Sequence, residues 1–217
     1  MSTFWLLSVV PEFFSGLSSS ILKRAEEQHK AQYTIVDLRN FGVGRHRMTD
    51  DRPYGGGPGM VLKIEPIAAA LESIRSQISG STLTLLTSAK GKQYTQAQAS
   101  LWARTYEHII IICGHYEGVD ERVALYLADA EVRIGEFVLT GGEAAAACIV
   151  DSMVRLLPEV LGNEESTLDE SHSVPGQLGF PQYTRPETFN EWAVPKILLS
   201  GNHQEVKEWR EKQKSTV

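Results

Sequence analysis

Apolar residues in this chain form short continuous runs that alternate with segments of helical spacing. The strand-like runs are Phe4–Val10, Tyr33–Leu38, Thr82–Thr87 and His108–Cys113, and the helical segments are Pro11 to about Lys30, Ile64–Ile78, Gln93–Arg104 and Glu143–Leu157. Continuously apolar strands separated by helices predict a parallel sheet that is covered on both faces. Two further short strands are expected at Val132–Ile134 and Phe137–Leu139.

The same pattern predicts the domain organisation. Residues 1–161 are expected to form one α/β domain. Residues 162–179 hold three glycines, a proline and several polar residues without periodicity, which is typical of a linker. Residues 180–217 contain one plausible helix, His203–Lys214, and are predicted to be a small C-terminal segment.

Composition favours a soluble globular protein, with 42% apolar and 22% charged residues. No apolar run approaches the roughly 20 residues of a membrane span, and the N-terminus lacks the basic start of a signal peptide. We therefore expect a cytoplasmic protein without a membrane partner, in which Cys113 and Cys148 are buried, reduced thiols. No His or Cys spacing is typical of a metal site, and none is predicted.

The net charge of −6 argues against general nucleic-acid binding, but the positive charges are clustered. The two basic clusters are Arg39, Arg45, His46, Arg47 and Arg52, and Lys207, Arg210, Lys212 and Lys214. Such clusters indicate a polyanion bound locally, or two groups of solvated charges; charge alone does not separate these alternatives.

Glycine-rich segments carry the candidate chemistry. Asp50–Met60 has four glycines and two prolines, which predicts a loop of defined shape rather than a phosphate-binding P-loop. Three further loops follow strands: Thr87–Gly91, Cys113–Gly118 and Ile134–Glu143. Because ligands of open α/β sheets bind outside the carboxyl ends of the strands, these loops predict a pocket made mainly of backbone, suited to an adenine ring and a ribose.

Charged residues near these loops have plain structural explanations as well. Asp120 is expected to lie at the N-terminus of a helix, where its charge suits the helix dipole. Arg155 lies four residues after Asp151, so a surface ion pair competes with a catalytic role. Asp169 and Glu170 fall in the predicted linker, where acidic residues are usually solvated.

Five long motifs resemble those of the bacterial tRNA (guanine-N1)-methyltransferase family, which belongs to the knotted SPOUT superfamily. They are Asp50–Met60, Gly114–Arg122, Ile134–Glu143, Pro181–Pro186 and Leu199–His203, and the likeness runs from Phe4 to about Arg210. The resemblance implies an α/β fold with a C-terminal trefoil knot, against the general rule that chains are unknotted. It also implies a homodimer with active sites at the subunit interface.

The resemblance implies methyl transfer from S-adenosylmethionine to N1 of the guanosine at position 37 of tRNA, immediately 3′ of the anticodon. The cofactor would be held by Ser88, Gly114, Ile134, Gly135, Glu136, Phe137, Val138, Leu139, Gly141 and Gly142. Arg155 would face the target base, and Asp50, Arg52, Tyr54 and Arg185 would contact the tRNA. Magnesium is also compatible with the family.

The chain departs from the family at three points, one of which is Ala89, where some members have proline. Where relatives have an aspartate base before a serine, this chain has Glu170 before Ser171, with Asp169 one place earlier. Either carboxylate could be the base, and register favours Glu170. Relatives also continue into a longer helical domain, so the C-terminal segment is expected to be truncated. The alternatives are a knotted methyltransferase for another RNA site and a non-catalytic RNA-binding relative.

Overall fold

The computed structural model of the protein describes residues 1–162 and 169–216. The chain divides into two compact units, Met1–Gly162 and Asn163–Val217, and each is described by itself. Of the predicted linker, residues 163–168 lie outside the described residues, as does residue 217 of the predicted C-terminal segment.

The first unit is built on a five-stranded parallel sheet, which confirms the predicted α/β fold with a central parallel sheet. Its strands are β1 (Ser2–Ser8), β2 (Ala31–Asp37), β5 (Thr82–Gln93), β6 (His108–Cys113) and β7 (Ala130–Arg133), in the order β2-β1-β6-β5-β7. A two-stranded antiparallel hairpin, β3 (Asp50–Asp51) and β4 (Val61–Leu62), brackets the glycine-rich loop. The helices of this unit are α1 (Ser20–Glu27), α2 (Ile64–Arg75), α3 (Gln96–Thr105), α4 (Glu121–Tyr126) and α5 (Glu143–Val154).

Strand β6 shows why the sheet is covered on both faces. Its side chains alternate, so that Ile109 and Ile111 pack with residues of α1, α3 and α5, whereas Ile110 and Ile112 pack with residues of α2 and α4. All four isoleucines are fully buried. Because both faces of the strand are apolar, burial places β6 in the middle of the sheet.

Two helix predictions are corrected by local hydrogen bonding. The segment from Pro11 is not one helix: a 3-10 helix, Pro11–Ser18, is separated from α1 by the extended residue Ser19, whose hydroxyl donates to Gly16 O at 2.6 Å. Helix α3 begins at Gln96 rather than Gln93, because Thr95 and Gln98 form a capping box at its N-terminus.

Two strand predictions near the sheet edge are also wrong. Strand β5 does not end at Thr87 but continues to Gln93, with a shift of register between Thr87 and Lys92, both of which pair with Val132. The predicted loop Thr87–Gly91 is therefore a bulge within one strand. Phe137–Leu139 is not a strand but a bent segment, and its side chains are exposed.

Cysteine burial follows helix geometry rather than local hydropathy. Cys113 ends β6 and is buried, as predicted, whereas Cys148 is exposed and contradicts the prediction. Residue 148 lies on α5 between the buried Ala146 and Ile149, and its position on the helix surface turns it away from the core. Burial, and after it the charge of Glu143, raises the pKa of the Cys113 thiol well above its usual value.

The second unit has little regular structure in its described part. It contains strands β8 (Gln177–Leu178), β9 (Thr188–Phe189), β10 (Trp192–Ala193) and β11 (Ser215–Thr216), a 3-10 helix Lys196–Leu199 and helix α6 (His203–Gln213). β8 pairs with β11, and β9 with β10, both antiparallel. The end of the predicted linker is thus held in a strand pair with the last described residues. In the described parts of both units, no helix is long and apolar enough to span a membrane.

Candidate functional site

The carboxyl ends of β5, β6 and β7 surround a cleft of about 400 Å³. Its walls come from the β5 bulge, the loop after β6 and the segment after β7, as the sequence predicted for three converging loops. The predicted cofactor residues that line it are Ser88, Gly114, Ile134, Gly135, Phe137, Val138, Leu139, Gly141 and Gly142. Glu136 does not line the cleft; its side chain is exposed and lies 3.6 Å from the guanidinium of Arg133.

Glycines are required where these loops meet. A Cβ at Gly142 would lie 1.9 Å from Thr87 Oγ1, and one at Gly114 would lie 2.7 Å from Thr87 O. The two loops are joined directly, because Gly142 N donates to Gly114 O at 2.6 Å. At Gly135 a Cβ would overlap the ring of Phe137, at 2.2 Å. Any side chain at these positions would therefore push the loops apart or fill the cleft.

The β3–β4 hairpin packs against one of the same loops. Glu117 N donates to Met60 O at 3.0 Å, and Leu62 N donates to Gly118 O at 3.0 Å. Between the two strands, Gly55, Gly56, Gly57 and Gly59 all have positive φ angles, from 77° to 125°. The glycine-rich loop therefore has a defined backbone conformation, and its C-terminal end lies against the loop after β6 that lines the cleft.

The cleft carries both signs of charge. Lys90 is paired with Glu121 and lies 3.9 Å from Glu131, and its hydrogen bond with Glu121 raises the pKa of the ammonium group. Arg133 Nη1 donates to Gly91 O at 2.7 Å. Glu117 is the cleft carboxylate without an ion-pair partner among residues 1–162. Glu117 could therefore pair with a positively charged ligand in the cleft.

A buried polar group lies under the loops. Glu143, the first residue of α5, is 3% exposed, and Ser8 Oγ donates to its Oε1 at 2.6 Å. Its Oε2 lies 3.5 Å from His115 Nδ1, and this nitrogen is buried without a hydrogen-bond partner among the described residues. The contact is thus an ion-pair distance without hydrogen-bond geometry.

The predicted tRNA-contacting residues lie on exposed loops. Asp50 is half-buried in β3, whereas Arg52 and Tyr54 are exposed in the turn that follows, and Tyr54 makes no contact that shields it from solvent. The first basic cluster, defined above, is exposed throughout. Arg185 belongs to the second unit, where it lines a separate groove with Tyr183 and Trp209, whose rings are 6.4 Å apart.

Of the predicted catalytic residues, Arg155 belongs to the first unit and does not line its cleft. Arg155 is half-buried at the C-terminal end of α5, and its backbone N–H donates to Asp151 O at 3.3 Å. Asp169 and Glu170 belong to the second unit. Asp169 is held there by Lys214, whose Nζ lies 2.9 Å from Asp169 Oδ1 and 2.8 Å from Glu211 Oε1.

Several cleft residues were missed or undervalued by sequence reasoning. Asp120 caps α4, as expected from its position. It is also paired with Arg122 at 2.6 Å, and this hydrogen bond lowers the pKa of the Asp120 carboxyl group. Glu117, three residues earlier, lines the cleft instead. Thr87, His115 and Glu143 lie in the predicted loops, but the sequence assigned no role to their side chains, because their proximity depends on the packing of separate elements.

Comparison with known proteins agrees with this geometry. The chain matches the family described as tRNA (Guanine-1)-methyltransferase TrmD over residues 2–216. It is 51% identical over 209 residues to the tRNA (guanine-N(1)-)-methyltransferase of Geobacillus kaustophilus, with 96% of this chain and 84% of that protein covered. The enzyme of the same name from Bacillus licheniformis is 48% identical over 208 residues, covering 95% of this chain and 85% of that protein. The enzyme from Geotalea uraniireducens is 48% identical over 211 residues, covering 97% and 84%. The chain therefore belongs to the tRNA (guanine-1)-methyltransferase family.

Proposed function

We propose that the protein transfers a methyl group from S-adenosylmethionine to N1 of the guanosine at position 37 of tRNA. The observation that carries this proposal is the match to the family over residues 2–216, together with a cleft whose walls are the glycine loops of the family motifs. S-adenosylmethionine supplies a methyl group on a positively charged sulfur, which is a good leaving group. The chain's own residues must bind it and prepare the guanine.

The cleft fits such a cofactor. Its volume of about 400 Å³ lies within the range of small-molecule sites. Gly114, Gly141 and Gly142 add no side chains to its walls, and Glu117 offers a negative charge. We assign cofactor binding to the lining residues named above and to Glu136, whose exposed side chain lies 3.6 Å from Arg133 of the cleft wall.

Guanine N1 carries a proton at neutral pH, so a general base must remove it before the nitrogen attacks. We assign this role to Glu170 rather than to Asp169. The register of the family motif, in which the base precedes a serine, supports this choice, because Glu170 precedes Ser171. A cation near O6, which we assign to Arg155, would stabilise the negative charge that develops on the base.

The position of Arg155 supports a homodimer. Helix α5 starts at the cleft with Gly142 as its N-cap and ends at Arg155 after 12 residues, a length of roughly 18 Å. An arginine side chain cannot span that distance back to its own cleft. A second copy of the chain would have to bring its Arg155 to the site, and we propose that the protein works as a homodimer for this reason.

We also propose that the chain is knotted as a trefoil in the C-terminal part of the first unit. Support comes from the segment after β7, an edge strand. That segment passes the β5 bulge and contacts the loop after β6, two strands further in, through the bond between Gly142 N and Gly114 O. Glycines at both ends of this contact allow the close crossing that a knot would require.

We propose that the tRNA contacts Arg52 and Tyr54 in the exposed turn and Asp50 beside that turn. It would also contact Arg185 of the second unit. Exposed arginines suit phosphates, and exposed aromatic rings suit an unstacked base. Since N1 lies on the pairing edge, the target guanosine has to leave its stack. A cytoplasmic location follows for an enzyme that acts on tRNA.

We recognise no magnesium site among the described residues. In residues 1–162 and 169–216, no group of three or more His, Cys, Asp or Glu side chains is arranged to hold a metal ion. We therefore assign no magnesium ligand and derive no step through the ion.

The test is a methylation assay with purified protein, S-adenosylmethionine labelled in its methyl group, and unmodified tRNA with guanosine at positions 36 and 37. Nucleoside analysis should find the label on N1 of the guanosine at position 37. Label at another RNA site would indicate a knotted methyltransferase of different specificity. Cofactor binding without transfer would indicate a non-catalytic RNA-binding protein, and either result would overturn the proposal.

A further inference from the structure

Glu143 is the charged residue most completely removed from solvent in the described part of the first unit, at 3% exposure. The proposed chemistry does not use it. A buried carboxylate is unfavourable unless hydrogen bonds or positive charge compensate it. One compensation is visible: Ser8, itself fully buried at the end of β1, donates to Oε1 at 2.6 Å. The helix dipole of α5 adds a second, because Glu143 is the first helical residue.

The other carboxylate oxygen, Oε2, faces a buried nitrogen that lacks a hydrogen-bond partner among the described residues. His115 Nδ1 lies 3.5 Å from Oε2 and is buried with no hydrogen-bond partner among the described residues. If His115 Nδ1 carries the ring proton, it can donate a hydrogen bond to Glu143 Oε2, and both atoms then have a hydrogen-bond partner. A shift of a few tenths of an ångström then gives an N–H···O hydrogen bond.

This pair lies where the cofactor loops cross. His115 forms a backbone bridge with Gly141, and a Cβ at Gly141 would lie 2.2 Å from Glu143 Oε2 and 2.4 Å from His115 Nδ1. His115 and Gly141 both line the cleft. Glu143 therefore connects three parts of the chain: the end of β1, the loop after β6 and the segment that leads into α5.

We propose that Glu143 is a positioning residue for the methyl-donor cleft, and that it acts by accepting a hydrogen bond from a protonated His115 Nδ1. This bond fixes the His115 ring and, through the backbone bridge, the distance between the two loops that hold the cofactor. The inference rests on the proposed function for the identity of the ligand. The protonation of His115 is independent of any ligand.

The first experiment is ¹⁵N NMR of the histidine-labelled protein without ligand, with the His115→Asn variant to assign the signals. The expected result is a proton on Nδ1 of His115. In Glu143→Gln the serine hydroxyl can still donate to the amide oxygen, but the amide NH₂ would now donate to His115. The proton should then move to Nε2. A wild-type ring that carries its proton only on Nε2 would overturn the proposal.

The second experiment is a calorimetric titration with S-adenosylmethionine, accompanied by turnover at saturating cofactor. Glu143→Gln should weaken binding about 10-fold, because a neutral hydrogen bond of reversed direction replaces the charge-assisted one. Turnover should change less than about threefold, because the interaction is the same before and during transfer. Unchanged affinity in Glu143→Gln would contradict the proposal.

A matched pair at His115 separates positioning from general stability. His115→Asn keeps an N–H donor near the position of Nδ1 and should bind the cofactor within about threefold of wild type. His115→Asp has the same size but places a second carboxylate against Glu143, and should bind at least about 30-fold more weakly. Equal affinities would overturn the proposal. If the wild-type protein fails to bind S-adenosylmethionine, the proposed function fails, and the NMR result alone decides the His115–Glu143 bond.

Discussion

The two units of the protein present functional groups in opposite ways. In the first unit, a buried sheet supports a cleft made of backbone, in which contacts as short as 2.6 Å between Gly142 and Gly114 leave no room for side chains. In the second unit, none of the described residues is buried, and the candidate residues Asp169 and Arg185 have exposed side chains. We therefore expect shape to dominate binding in the first unit and charge to dominate in the second.

This difference has a physical cause. A cleft wall made of backbone requires rigid neighbours, because two segments stay in close contact only if packing holds both of them in place. Exposed ion pairs contribute little to stability and allow side chains to adapt to a partner. We therefore expect substitutions in the cleft to abolish binding, and substitutions in the second unit to change turnover.

The largest effect is expected for Gly142→Ala. The new Cβ would lie 1.9 Å from Thr87 Oγ1 and 2.8 Å from Gly114 N, and overpacking of this kind should weaken cofactor binding at least about 100-fold. Calorimetric titration with S-adenosylmethionine measures the effect, and a melting curve checks that the protein is folded. Gly16→Ala is the control, since its Cβ has no neighbour within 4 Å. Wild-type affinity in Gly142→Ala would refute a cleft defined by backbone contact.

The second prediction concerns Asp169 and Glu170, the two candidate bases in the second unit. Glu170→Gln should lower the turnover number by about 100-fold or more, the usual effect of removing a general base. Asp169→Asn, in which the residue is already paired with Lys214, should lower it far less. Both variants should bind the cofactor normally. Near-normal, equal rates would remove both carboxylates from the mechanism, and a reversed order would assign the base to Asp169.

Arg155→Ala tests whether a side chain of the first unit joins this chemistry. Loss of the proposed charge stabilisation should slow methyl transfer by roughly 10- to 100-fold with little change in cofactor affinity. Arg104→Ala is the matched control, because Arg104 also lies at the end of a helix, α3, where it bonds Ser100 O. If both variants transfer methyl groups at the wild-type rate, Arg155 serves only as a helix-end or ion-pair residue.

The smallest effect is expected for Lys214→Met. Its side chain is 13% exposed and joins Asp169 to Glu211, next to the β8–β11 strand pair. Since such ion pairs contribute little to stability, turnover should fall only about threefold through a less well-placed Glu170. Single-turnover rates measure this change. Lys212→Met, at an exposed position in the last turn of α6, should leave turnover unchanged, and an equal loss in both variants would point to RNA binding rather than placement of Glu170.

Much of the first unit could be predicted from sequence because its signals are local. The run His108–Cys113 predicted a buried strand and is one, with bounds that agree. The apolar runs and helical spacings gave the parallel sheet, and the three glycine loops were expected at one edge, where the structure brings them together. Errors arose where a local rule was overridden: a capping box moved the start of α3, and a register shift turned a predicted loop into part of β5.

The amino-acid sequence by itself determined the α/β class, the family and the residues that form the cleft walls, because periodicity and motifs are properties of neighbouring residues. Tertiary structure alone decided which distant groups meet: Thr87 with Gly142, Ser8 and His115 with Glu143, and Lys214 with Asp169. It also decided that Cys148 faces outward and that Phe137–Leu139 bends around the cleft. Such contacts depend on how whole elements pack, and no pattern along the chain records a distance between residues 135 positions apart.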